Sequence, residues 1–316
     1  MWSRVGTRVP STIRTVSFAN RLRGWSARSC PQSGWGVGLF VVRRHELTDE
    51  SWAVIGPLLA PSRMGRPVRD RRQVVNGILW KLSTGAAWRD LPERYGPWKT
   101  VYERFRRWSA DGLLGPAPRP RPAALRCGRL DGRVRRLHHG SGPSACGRGT
   151  KRGQSLWPGE AIGRSRGGLT TKIHLACDGQ GRPLAFTLTA GNVNDCTQFE
   201  QVMARISISR RGPGRPRTRP ERVVADKGYS STRIRSYLRR RGIKAAIPER
   251  IDQINGRIRR GKSLCRLDRA AYRRRNIVER CFNKLKHSKA LATRYDKRAR
   301  HYEAMVTIAC LRLWLP

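Results

Sequence analysis

Apolar residues between positions 47 and 113 recur every three or four residues, which is typical of amphipathic helices. Three blocks of this kind predict three short helices. Thr48 can cap the first and Asp70 can open the second, because their side-chain oxygens accept hydrogen bonds from helix N–H groups. The buried positions that the pattern predicts are Trp52, Ile55, Leu58 and Leu59 in the first helix, Val74, Val75, Ile78, Leu79 and Leu82 in the second, and Val101, Phe105 and Trp108 in the third.

The third predicted helix is basic on its outward side. Lys99, Arg104, Arg106 and Arg107 fall there. Three short helices that end in a basic one suggest a helix-turn-helix module that binds DNA. The alternative is a helical bundle whose charged face is merely solvated.

The spacing of apolar residues changes to strict alternation after residue 170. Thr171–Asp178 and Leu184–Ala190 flank a Gly-Gln-Gly turn, which predicts a β-hairpin with apolar and polar faces. A short apolar strand then ends on Asp226, and Ile243–Ile247 predicts a further strand. Ser230 or Ser231 should cap the intervening helix, which runs through Leu238. Taken alone, these elements indicate a mixed α/β domain.

Tyr272, Arg275, Glu279 and Lys286 have spacings of 3, 4 and 7 residues. On a single α-helix they share one face within an arc of roughly 60°. The opposite face should be buried, with Ile277, Val278, Cys281, Phe282 and Leu285. A carboxylate among cations suits a metal-assisted enzyme that acts on polyphosphate chains. The alternative is an ordinary exposed Arg–Glu pair that stabilises the helix by a few tenths of a kcal/mol.

The charge of the chain points to a polyanionic partner. The formal net charge is +46 over 316 residues, with 67 basic and 21 acidic residues. Binding to nucleic acid would then be dominated by phosphate contacts. Gly65-Arg66-Pro67 and the loop 210–219 each contain a Gly-Arg-Pro tripeptide, which resembles an AT-hook or is a solvated basic linker. Free thiols are expected because the eight cysteines have no zinc-ligand spacing, and no apolar run predicts a transmembrane helix.

The chain resembles the DDE transposases of bacterial insertion sequences, specifically family five. The resemblance rests on Asp226 in Ala-Asp-Lys-Gly-Tyr and on the Tyr-x2-Arg-x3-Glu-x6-Lys signature. It extends to Arg44–Trp52, Gly65–Pro92 and Trp98–Tyr102 and covers roughly residues 42–113 and 153–316. It implies an α/β fold, with an RNase H-like mixed sheet behind a small helix-turn-helix-like N-terminal domain. The division that we expect is 1–41, an N-terminal extension; 42–115, a helical DNA-binding domain; 116–155, an aberrant segment; and 156–316, the catalytic domain.

The extension at residues 1–41 has two interpretations. It lacks acidic residues and is rich in Arg and Ser, as an organellar transit peptide is. The other interpretation, which we favour, is that the start codon is misplaced and the segment is disordered or non-native.

The resemblance implies cleavage at the ends of the element and transfer of the freed 3′-hydroxyl to target DNA. Asp226 and Glu279 would be catalytic and bind Mg²⁺ or Mn²⁺, because such ions take carboxylate ligands. Tyr272, Arg275 and Lys286 would contact the DNA end. Double-stranded DNA is the expected partner, with a homodimer in the DNA complex, no membrane association and a bacterial cytoplasmic, nucleoid-associated location.

The first of the three expected acids has no match. The family carries it on a strand as Val-Asp-Ser/Gly-Thr, whereas Asp131 is the sole carboxylate between Asp111 and Glu160 and has no strand pattern around it. We hypothesise that residues 116–155 are read out of frame, since Val-Asp-Ser codons shifted by one base can yield Arg135-Arg136-Leu137. Asp178 and Asp195 are weaker replacements, because the first is predicted to form a turn and the second to cap a helix.

Three functions follow from these expectations. The first is a transposase that is inactive as written if the acid is missing. The second is a catalytically dead DNA-binding protein or repressor. The third is a structure-selective nuclease on the same core.

Overall fold

A computed structural model gives the fold for residues 45–59, 70–114, 131–141, 159–165, 168–209 and 214–316, with backbone only for 131–141. The N-terminal extension, Gly65-Arg66-Pro67, residues 210–213 of the basic loop and most of 116–155 lie outside these described residues.

Three helices form the N-terminal part, as the apolar spacing predicted. Thr48 and Asp70 cap the first two through their side chains, to Ser51 N and Arg72 N. Val101 and Phe105 of the third helix are buried, and Trp108 packs at the edge of the core. The bounds are α1 (Asp49–Ile55), α2 (Arg71–Thr84) and α3 (Trp98–Ala110).

Six strands form one mixed sheet. In the order β4-β3-β1-β5-β6, the first two pairings are antiparallel and the last two are parallel, and β2 also pairs with β3. Helices cover the sheet, so this is the RNase H-like arrangement that we expected. The bounds are β1 (Asp131–Ser141), β2 (Gly163–Ser165), β3 (Gly168–Cys177), β4 (Pro183–Ala190), β5 (Arg222–Val224) and β6 (Lys244–Ala246).

The central strand β1 corrects one expectation. We predicted no strand between the helical part and residue 156, yet β1 pairs with β3 on one side and β5 on the other. Its sequence, Asp-Gly-Arg-Val-Arg-Arg-Leu-His-His-Gly-Ser, is too polar for the alternation that signals a strand. The two flanking strands supply its backbone hydrogen bonds, and that long-range contribution is invisible in a local pattern.

The remaining helices follow the sheet in the chain. Ser231 caps α5 by accepting a hydrogen bond from Ile234 N, as predicted. No helix in the part of the chain that the structure describes is long and apolar enough to cross a membrane. The bounds are α4 (Phe199–Ala204), α5 (Thr232–Arg240), α6 (Ile251–Arg259), α7 (Arg269–Arg273), α8 (Ile277–Lys286), α9 (Lys289–Ala292) and α10 (Ala299–Arg312).

The N-terminal helices and one face of the sheet share a single core. This core joins Phe105 of α3 to Leu175 of β3, Phe282 of α8 and Tyr302 of α10. The end of α2 also lies close to α9, since a Cβ added at Gly85 would be 3.1 Å from the Cβ of Lys289. The helical part is therefore packed onto the sheet domain by apolar contacts.

Candidate active site

Asp226 lies two residues beyond β5, at the carboxyl end of a buried strand, and is half-buried. This is the edge at which open α/β sheets place their ligands. The loop after it is held by three side chains, one from the turn before α4 and two from the start of α6. Cys196 donates its thiol to Gly228 O at 2.6 Å, Arg250 reaches Lys227 O and Gly228 O at 3.4 Å, and Gln253 donates to Ser230 O at 2.7 Å.

The segment that carries the Tyr-Arg-Glu-Lys signature is not the single α-helix that we predicted. Residues Arg274–Asn276 form a 3₁₀ turn between α7 and α8. The apolar spacing is the same for both forms over so short a stretch, so the sequence pattern could not reveal the break. The break shifts Tyr272 relative to Glu279 and Lys286 from the positions that one continuous helix would give them.

Contacts with the sheet bring the start of this segment to β5. Asp268 caps α7 and pairs with Arg222, the first residue of β5, at 3.2 Å. Tyr272 packs against the cluster of Val224, Ala246 and Ala271. The signature segment therefore begins beside the strand that ends at Asp226.

The remaining signature residues lie on the polar side of this segment. Arg275 donates to the Tyr272 hydroxyl at 2.5 Å and its guanidinium lies 4.9 Å from the ring. Glu279 is exposed and Lys286 is half-buried. The opposite side of α8 is buried at Val278, Cys281, Phe282 and Leu285, as predicted.

The register of β1 fixes where an acid on that strand would lie. Asp131 pairs with Arg222 and Arg133 pairs with Val224 in the parallel ladder. Extending the ladder by two residues puts position 135 level with Asp226, and this position is occupied by arginine. Asp131 is four residues short of that level, or about 13 Å along the strand. Two metal ions in a shared site are only about 3.5–4 Å apart.

Asp178 forms a turn, as predicted. One of its oxygens accepts hydrogen bonds from Gln180 N and Arg182 N, and the other pairs with the Arg182 side chain at 2.7 Å. Those contacts occupy the carboxylate within its own turn.

The prediction for Asp195 was wrong, because Asn194 caps the following turn through its own side chain. Asp195 instead lies 3.3 Å from Lys172 Nζ and 3.9 Å from His174 Nδ1. Lys172 and His174, which lie on the polar face of the predicted hairpin, are buried. The element that follows the hairpin covers this face and supplies the carboxylate, which the hairpin sequence alone could not indicate. Through Cys196, the same element reaches the loop after Asp226.

The basic side of α3 is partly neutralised. Lys99, Arg106 and Arg107 are exposed and Arg104 is half-buried. Glu103 pairs with Arg106 at 2.9 Å and with Arg107 at 3.3 Å, and the hydrogen bond from Arg106 lowers the pKa of this carboxyl. Glu103 thus offsets part of the positive charge that Lys99, Arg104, Arg106 and Arg107 give to α3.

The candidate metal site has ligands of the right type but not a full set of them. Asp226 and Glu279 offer the oxygen ligands that Mg²⁺ and Mn²⁺ prefer. Within the described residues, however, no three His, Cys, Asp or Glu side chains are grouped closely enough to hold an ion. The residues present therefore do not fit a complete two-ion site.

Two family models match the chain. The model described as "Putative transposase of IS4/5 family" matches residues 47–115. The model described as "Transposase DDE domain" matches residues 129–314, which is more than half of the chain. The two matches meet near the boundary between the helical part and the sheet.

Curated relatives come from other bacterial mobile elements. The chain is 36% identical over 140 residues to "Putative transposase for insertion sequence element IS402" of Burkholderia cepacia, covering 44% of this chain and 60% of that protein. It is 27% identical over 147 residues to "Putative transposase for insertion sequence element IS6501" of Brucella ovis, covering 46% of this chain and 99% of that protein. Among solved structures, a pre-cleavage Mos1 transpososome aligns over 72% of this chain and 82% of that chain at 8% identity, with a TM-score of 0.19.

Proposed function

Because this chain belongs to the insertion-sequence transposases that carry a DDE domain, we propose that it binds the terminal DNA of its element but does not complete strand cleavage. Cleavage and strand transfer are the reactions expected of the family. The observation that carries the second half of the proposal is the register of β1, which pairs Arg133 with Val224 and, extended by two residues, puts arginine level with Asp226.

DNA binding is supported by charge and by its distribution. The net charge of +46 favours a polyanion, and counterion release would make the affinity fall with salt. Tyr272, Arg275 and Lys286 lie along the segment that starts beside β5, where Tyr272 is suited to position a DNA end and the two cations to neutralise its phosphates. Lys99, Arg104, Arg106 and Arg107 would give a second contact surface on α3. We propose that paired ends are held by a homodimer.

Loss of cleavage follows from the incomplete set of acids. Asp226 and Glu279 would be two metal ligands, and no acid stands at the corresponding level of β1. Arginine offers no oxygen ligand to Mg²⁺ or Mn²⁺. We therefore expect no metal-dependent cleavage by the chain as written.

A shifted reading frame explains the missing acid. Val-Asp-Ser codons displaced by one base can be read as Arg135-Arg136-Leu137, which would put the acid at about position 136 of β1, one residue from the position level with Asp226 and on the strand where the family resemblance puts the first acid. Reading the gene in all three frames tests this directly. Val-Asp-Ser codons across these positions would support the hypothesis, and their absence would remove it.

Binding and cleavage assays separate the candidate functions. A duplex carrying the terminal repeat should be bound by the chain and remain uncut in Mg²⁺ or Mn²⁺. Cleavage followed by strand transfer would favour an active transposase, and cleavage without transfer would favour a nuclease. Failure to prefer the terminal repeat over random DNA would contradict the proposal of end binding.

A further inference from the structure

Helix α6 has no role in the hydrophobic core. It buries none of its nine residues, whereas α2, α3, α5, α8 and α10 all bury side chains. We call residues 249–266, which include α6, the α6 arm. The fold does not require the outward face of this helix for its core, so that face is available for a partner.

The arm is attached beside Asp226 by polar contacts at its N-terminal end. Arg250 and Gln253 donate to the carbonyls of Lys227, Gly228 and Ser230 in the loop that follows Asp226. Arg257 pairs with Glu249 at 2.7 Å and closes the start of the arm. A partner bound on α6 would thus lie next to the candidate active site.

The outward face of the arm carries exposed apolar side chains at both ends of α6 and beyond it. Ile251 and Ile258 are 77% and 61% exposed, and Leu264 is 54% exposed. A spacing of seven residues puts the two isoleucines on the same side of the helix. Exposed apolar clusters of this kind mark interaction sites more often than single exposed residues do.

Cations surround this apolar face. Arg259, Arg260 and Lys262 are exposed and follow Ile258 directly. The acids of the arm are Glu249, which is paired with Arg257, and Asp252. Excess positive charge selects a polyanion and disfavours a second copy of this chain, because two copies would bring like charges together.

We propose that the α6 arm is a DNA-contacting surface adjacent to the candidate active site. Arg259, Arg260 and Lys262 contact phosphates, while Ile251 and Ile258 lie against the sugar and base edges of a groove, as apolar side chains do in other minor-groove binders. This inference rests on the proposed DNA binding and adds a surface that the signature residues and α3 do not include.

A matched pair of double variants tests the phosphate contacts. R259Q/R260Q removes two adjacent exposed arginines at the end of α6, and R239Q/R240Q removes two adjacent exposed arginines at the end of α5. Both change the net charge equally. The affinity of each for a duplex is measured from 50 to 200 mM salt. R259Q/R260Q should weaken binding and lower the salt slope by about 0.9 for each lost phosphate contact, while R239Q/R240Q should retain the slope.

The variant I251S/I258S tests the apolar contact. It should cost a several-fold loss of affinity with an unchanged salt slope, because no charge is removed. Since neither side chain is buried, the thermal unfolding of this variant should match that of the parent chain. Sedimentation of the free protein checks self-association.

The outcomes are distinct. If the parent chain binds DNA and both α6 variants bind it equally well, the arm is not a DNA surface but the proposed function stands. Equal effects of the α5 and α6 arginine pairs would also overturn the inference, because they would reflect net charge alone. Loss of self-association in I251S/I258S with intact DNA binding would assign the face to a second copy. If the parent chain fails to bind DNA, both proposals fail.

Discussion

Arg222 at the start of β5 pairs with Asp268 at the start of α7, with 3.2 Å between Nη1 and Oδ2. A hydrogen bond from Ala271 N–H and the charge of Arg222 lower the pKa of this carboxyl, so Asp268 stays ionised at neutral pH. Further along both elements, Tyr272 packs against the cluster that contains Val224. The strand that leads to Asp226 and the segment that leads to Glu279 thus lie side by side where they begin.

Arg294 should be essential for stability. Its side chain is fully buried and donates to the carbonyls of Glu160, Ala161, Asp296 and Lys297. Arg294→Met would remove these hydrogen bonds, although Ala161 O keeps the one that it accepts from the Thr171 hydroxyl, and we expect a loss of about 3 kcal/mol or more in the free energy of unfolding.

Chemical denaturation measures this loss. Arg294→Lys should be intermediate, since lysine keeps the charge but cannot reach several acceptors. Arg298→Met, an exposed neighbour, is the control and should change little. Equal stabilities for the Arg294 and Arg298 variants would contradict the assignment.

His301 should make stability depend on pH. Burial lowers the pKa of its imidazole below 6.5, and the nearby Arg300, Arg298 and Arg106 lower it further. The unfolded chain therefore takes up a proton that the folded chain does not. The contribution of neutral His301 to the free energy of unfolding is fully present above about pH 6.5. It is lost as the pH falls toward the pKa of the folded state, by at most about 1.4 kcal/mol per pH unit.

Urea unfolding between pH 7.5 and 5.5 checks this prediction. Phenylalanine can replace His301 among the rings of Phe105 and Tyr102, at 5.8 and 6.3 Å. His301→Phe should flatten the pH dependence of the free energy of unfolding, whereas the exposed control His287→Gln should leave that dependence unchanged. A dependence that survives His301→Phe unchanged would assign it to other groups.

The helical part and the sheet should unfold together. Phe105 and Phe282 belong to one core although they lie in α3 and α8. Phe105→Ala and Phe282→Ala should each cost about 3–5 kcal/mol and shift the same single transition. Calorimetry measures this, with Tyr295→Ala as an exposed control. Two transitions, each moved by only one variant, would mean that the helical part is an independent domain.

Variants of the signature residues should differ in their affinity for DNA. Glu279→Gln removes a negative charge from the proposed phosphate surface, so DNA affinity should be equal or higher. Arg275→Gln should weaken binding and reduce the salt slope by about 0.9. Arg280→Gln, exposed on α8, is the charge-matched control for fluorescence anisotropy. Identical losses for Arg275→Gln and Arg280→Gln would remove Arg275 from the DNA surface.

Local periodicity and capping were sufficient to predict much of the fold. Phe105 and Leu82 are buried as their spacing required, and Thr48, Asp70 and Ser231 cap the helices assigned to them. These features depend on residues a few positions apart, so a single sequence contains the necessary information.

Features that depend on distant partners were not predictable in this way. The polar strand β1 forms between β3 and β5, and Lys172 is buried because Asp195 lies beside it. The 3₁₀ break before α8 has the same apolar spacing as a continuous helix. The exposed isoleucines of α6 also carry no local sign of exposure, since apolar residues on a helix are usually buried.

The most direct test compares cleavage by two versions of the chain. The first is the chain as written, and the second has residues 116–155 replaced by the translation of the alternate frame. Each is incubated with a terminal-repeat duplex and Mg²⁺ or Mn²⁺, at a concentration at which binding is measured. We predict that both bind, that only the re-framed chain cuts, and that Asp226→Ala abolishes its cleavage. Cutting by the chain as written, abolished by Asp226→Ala, would contradict the account.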